Sequence, residues 1–121
     1  MFKKLLFTSV LILGLISCEP EGNDNPLIHG TWNGVSWEIS GMEQMDENSE
    51  MVFVFNEDST YTAGTGSQME KGVYLYKNEK LYTTAEGKIE KMVEVKLPSS
   101  DTIIMNMNRV GTAETITLVK E

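Results

Sequence analysis

From residue 56 to the C-terminal end, turn-favouring residues recur at short, nearly even spacing, centred near Asp58, Ser67, Asn78, Gly87, Ser100 and Gly111, or 9, 11, 9, 13 and 11 residues apart. The stretches between them are rich in Val, Ile, Thr, Tyr and Phe. A chain that reverses about every 8–12 residues reads as an all-β sandwich or barrel. Eight strands are predicted, at about 29–39, 50–56, 60–66, 70–77, 80–85, 88–97, 102–109 and 114–120. Links this short make consecutive strands antiparallel neighbours, because a parallel crossover needs about a dozen residues. The expected fold is an eight-stranded antiparallel meander.

Side chains alternate across a strand, so parity selects the buried face. Ile89, Val93, Val95 and Leu97 share one face of the sixth strand, with Lys88, Glu90, Glu94 and Lys96 on the other. Met51, Phe53 and Phe55, then Ile103, Met105 and Met107, then Ile116 and Leu118, complete the predicted core. The first strand breaks the pattern, with Val35, Trp37 and Ile39 on one parity and Trp32 on the other. A bulge at Asn33 and Gly34 would turn both sets inward, since a glycine within a strand often marks such a kink. In the fourth strand either Val73 and Leu75 or Tyr74 and Tyr76 face the interior. The acidic link from Gly41 to Ser49 carries Met42 and Met45 three residues apart. It fits either a short helical turn capping one end or a solvated loop.

The first residues set the address. Lys3 and Lys4 precede an apolar run from Leu5 to Ile16, and no acidic residue occurs before Glu19. That is the layout of a signal peptide, and the run is well short of the roughly 20 residues that span a bilayer as a helix. Its end, Leu15-Ile16-Ser17-Cys18, resembles the lipobox of bacterial lipoproteins. The resemblance implies cleavage before Cys18 and acylation of its thiol, and two or more acyl chains hold a protein at a membrane where one holds it only marginally. Residues 1–17 are therefore expected to be a leader and residues 18–27 an acidic disordered tether, with one domain over residues 28–121. An acidic stretch just after the cysteine also resembles the surface-export signal of Bacteroidetes lipoproteins. The expected location is the cell envelope, lipid-anchored at the outer membrane, on its periplasmic or its outer face.

Loss of residues 1–17 removes two lysines and no acids, taking the formal charge from −8 to −10. Such a chain repels phosphate backbones and anionic surfaces, so nucleic acid is excluded as a partner. The lone histidine, His29, lies at the edge of the first strand, so no hydrolytic triad is expected, and without clustered His or Cys neither is a transition-metal site. The carboxylates at Glu43, Asp46, Glu47 and Glu50, and at Glu57 and Asp58, lack calcium-loop spacing and read as solvated charge. No catalytic residue, metal or cofactor is expected.

Gly30-Thr31-Trp32, placed just inside the first strand, resembles the Gly-x-Trp opening of the lipocalins and related calycins. With Phe53-x-Phe55-Asn56-Glu57-Asp58-Ser59-Thr60-Tyr61 and Gly72-x-Tyr74, the mature chain resembles the lipocalin-like lipoprotein domains of Bacteroidetes. The resemblance implies that the meander closes into a small barrel, with Gly30 and Trp32 closing one end. It departs from the lipocalins proper in its shorter length and in lacking a second Thr-Asp-x-x-Tyr-type motif. The cation that packs on the family's tryptophan has two stand-ins, Arg109, out of place, and Lys120. Asp58-Ser59-Thr60 and Asp101-Thr102-Ile103 match the Bacteroidetes O-glycosylation pattern, which would modify Ser59 and Thr102.

Two non-enzymatic functions follow. A binding module would hold a small apolar or carbohydrate ligand against Trp37, Met51, Phe53, Phe55 and Tyr74, at the end opposite Trp32. A filled barrel would instead dock its outer face to another envelope protein.

Overall fold

The computed structural model describes residues 23–121, so the expected leader and Cys18 lie outside it. Nine strands form one antiparallel sheet: β1 (Gly30–Ile39), β2 (Met42–Glu43), β3 (Val52–Phe55), β4 (Thr60–Thr65), β5 (Gln68–Lys77), β6 (Lys80–Ala85), β7 (Lys91–Ser99), β8 (Thr102–Arg109) and β9 (Thr112–Lys120). Each pairs with the next along the chain, except that β3 returns to β1, and β9 pairs with β1 to close the sheet. The eight long strands thus make a closed barrel, with β2 a two-residue appendage on the far end of β1. Closure leaves none of the eight without two neighbours.

The predicted turns fall where the chain reverses. Two of them, Asn78-Glu79 and Val110-Gly111, are two-residue links with both φ values positive (54 and 64°, 51 and 84°). This is the turn whose twist matches that of a hairpin's strands. The open choice in the fourth strand resolves in favour of the tyrosines: Tyr74 and Tyr76 are buried, while Val73 and Leu75 lie outside.

Four expectations need correction. The bulge lies one residue later than predicted: β1 slips against β9 between Gly34 and Ser36, leaving Val35 as the extra residue. Trp32 and Trp37 therefore both reach the inner side, but Val35 is exposed instead of joining the core. Gly34 faces inward too, where a Cβ would stand 2.8 Å from the Cβ of Met51. Ile89 is exposed, because β7 starts only at Lys91 and residues 86–90 form a loop.

The link after β1 forms no helical turn. It folds back as β2, and the Glu43 carboxylate accepts hydrogen bonds from Ser36 Oγ (2.6 Å), Trp37 N (2.8 Å) and Met45 N (3.1 Å). The Ser36 hydroxyl, then these amides, hold that carboxyl below the usual range. Glu43 thus organises the loop instead of serving as mere solvated charge, leaving Met42 exposed and Met45 packed against the core.

The tether also ends sooner than expected. Residues 24–28, mostly assigned to it, dock across one end of the barrel, and Asn25–Ile28 form a 3-10 turn. Asn25 is buried, accepting a hydrogen bond from Tyr76 N (2.6 Å) and donating one to Ser59 Oγ (3.2 Å). Asp24 N donates to Tyr76 O at 2.6 Å. A side chain that answers an inward-facing stretch of β5 gains bonds that a solvated spacer lacks, and buried backbone groups require such partners.

Candidate functional site

The two ends of the barrel differ. At the end where β1 begins, Trp32 is fully buried and its indole Nε1 donates to Ile28 O at 2.9 Å. Lys120, in register opposite Trp32, places its ammonium 5.4 Å from the ring centroid, within cation–π range. Lys120 is therefore the cation that packs on this tryptophan, not Arg109, which pairs instead with Glu114 at 3.6 Å. Gly30 makes the approach possible: its φ is +127°, and a Cβ there would stand 3.0 Å from Lys120 Cε. Above Trp32, Phe55 meets Tyr74 edge-on at 5.0 Å between ring centroids, and the Tyr74 hydroxyl donates to Asn56 O at 3.0 Å. Burial, with a smaller effect from the Asp58 charge, pushes the Tyr74 phenol up to about 12.

The opposite end holds a cavity of about 790 Å³. Its wall combines apolar side chains, Met51, Phe53, Leu81, Val93, Met105 and Ile116 among them, with a substantial polar and charged share. A second recess of about 460 Å³, lined by Trp37 and Met45, shares Met51, Thr65 and Ser67 with the first. Trp37 Nε1 is buried there without a hydrogen-bond partner. Sites for small molecules are typically concave, about 300–1,000 Å³, and mostly apolar with a few polar groups.

Of the residues singled out for a ligand, the structure brings Met51 and Phe53 onto the main wall and Trp37 into the adjoining recess. Phe55 and Tyr74 do not line either space; they belong to the packed end. Ser59, proposed for glycosylation, sits in the β3–β4 turn at φ 70° with its hydroxyl engaged by Asn25, and Thr102 opens β8.

The cavity's polar groups were not foreseen. Tyr61 donates its hydroxyl to Glu70 Oε2 at 2.8 Å, and Thr83 lines the same wall. Burial, then the hydrogen bond to and charge of Glu70, push the Tyr61 phenol up to about 12, so it remains a donor at neutral pH. Lys88, Lys91 and Arg109 line the cavity as well. Glu70 shares parity with Tyr74 and Tyr76, so fixing the face of β5 would have exposed it; nothing in the spacing marks Lys88 or Lys91.

The family model for the lipocalin-like domain matches residues 28–105, from the residue that caps Trp32 to the middle of β8. The chain belongs to that family. No curated protein and no solved structure matches it. The lipocalin-like match stops before β9, yet β9 is the strand that closes the barrel and supplies Lys120. The lipocalin-like fold is generally a non-enzymatic binding fold.

Proposed function

We propose that this lipocalin-like barrel is the ligand-binding head of a lipid-anchored envelope protein and takes a small apolar molecule. One observation carries the reading: the cavity of about 790 Å³ at the end opposite Trp32, where Met51, Phe53, Leu81, Met105 and Ile116 form an apolar floor among polar and charged side chains. The apolar side chains of this wall give a hydrocarbon body contacts that replace its hydration. Trp37 borders the recess that joins the cavity, while Trp32 is sealed at the other end, so the two indoles are separate reporters. Titration of dodecanoate and of a lipid extract is expected to shift Trp37 emission in Trp32→Phe protein and to leave Trp32 emission unchanged in Trp37→Phe protein. Silence of Trp37 toward both would favour the alternative of a barrel that docks by its outer face. The outward Leu75, paired with Tyr82 across β5 and β6, is the feature that alternative would use.

The anchor is the second part of the proposal and rests on the Leu15-Ile16-Ser17-Cys18 pattern with its preceding charged and apolar stretch. Cys18→Ala is expected to yield protein without fatty-acid label that fractionates away from membranes. Label or membrane retention in that variant would refute a lipid on Cys18.

A further inference from the structure

The charged side chains among the cavity's apolar ones are arranged in a pattern. Among its lining residues Glu70 is the one carboxylate, and Lys88, Lys91 and Arg109 are the cations. Between residues 23 and 70 there is no Lys or Arg at all, so this concentration stands out in an acidic protein. Arg109 is paired with Glu114, whereas Lys88 and Lys91 make no ion pair among the described residues. Glu86 and Glu90 share the loop with Lys88 but do not line the cavity.

Glu70 is not a stray charge. It stands two residues in from the start of β5, held through Oε2 by Tyr61, while its Oε1 accepts no hydrogen bond from the described residues. A carboxylate oxygen on an apolar wall is an acceptor for a ligand's hydrogen-bond donor, and hydrogen bonds to charged groups are the stronger kind. The lysines serve the opposite chemistry, an anion.

We infer that the cavity selects amphiphiles with an acidic head bearing a nearby hydroxyl: the anion faces Lys88 and Lys91, the hydroxyl donates to Glu70, and the chain lies along the methionine-rich wall. This deepens the reading of the cavity as a ligand site and rests on it. An acid without the hydroxyl leaves Glu70 unanswered beside its own charge, which is where discrimination arises.

The test compares dodecanoate with 3-hydroxydodecanoate by calorimetry on residues 19–121, which contain the whole barrel. The wild type is expected to bind the hydroxy acid about tenfold more tightly. Glu70→Leu should bind both acids equally, with dodecanoate held at least as well as before. Glu70→Gln, which keeps an acceptor for Tyr61 and so spares the fold, should show a reduced preference. Lys88→Ala with Lys91→Ala should weaken both acids by a similar factor. Equal affinity for the two acids in the wild type, or a full preference surviving in both Glu70 variants, would overturn the assignment while leaving the cavity reading intact. Absence of binding by either acid would overturn both.

Discussion

Trp32→Ala is expected to cost about 3–5 kcal/mol of folding stability, the range for truncating a large buried aromatic. The indole is fully buried, and three different parts of the chain converge on it. Ile28 O accepts from its Nε1, Lys120 covers its face, and Phe53 pairs with it in register from β3. Truncation would leave the Ile28 carbonyl without that donor as well as opening a void, and an unsatisfied buried acceptor adds its own penalty. Chemical denaturation measures the loss directly. A change below about 1 kcal/mol, as at a surface site, would mean that the plug of residues 24–28 does not depend on the ring it covers.

Gly72→Ala is the second large effect, and it acts through backbone. A Cβ at Gly72 would collide with the carbonyl oxygen of Thr84 on β6 and stand 2.7 Å from the Cα of Ala85. Neither atom belongs to a flexible side chain, so β5 and β6 would have to part where Gly72 and Ala85 are paired. A glycine inside a strand commonly marks such a tight bend or close approach. The expected loss is about 3 kcal/mol or more, in the range reserved for strain and overpacking. A denaturation midpoint close to wild type would show that the two strands can separate locally without harm to the barrel.

The fold was legible because turn chemistry and alternation are local. The Asn78, Gly87, Ser100 and Gly111 reversals, and the inward sets Met51-Phe53-Phe55 and Ile116-Leu118, could be read one hairpin at a time. What failed depended on partners far along the chain. Val35 is the bulged residue where β1 slips against β9, and Gly34 beside it packs against Met51, just ahead of β3, neither of which inspection of β1 discloses. Asn25 is buried because Tyr76 N and Ser59 Oγ, 51 and 34 residues away, answer its amide. The candidate site was half legible for the same reason. Trp37, Met51 and Phe53 follow from position along the first strands, whereas Tyr61, Glu70 and Thr83 meet only once three strands are placed side by side.

The docking of residues 24–28 has a directional consequence. The chain enters the barrel beneath Trp32, on the base, and the cavity opens on the other side. Whatever grips the polypeptide ahead of Asp24 therefore grips a cup by its foot. The brim lies at the far side of the barrel from that foot, so under the proposed function the mouth and the attachment never compete for the same face of the molecule.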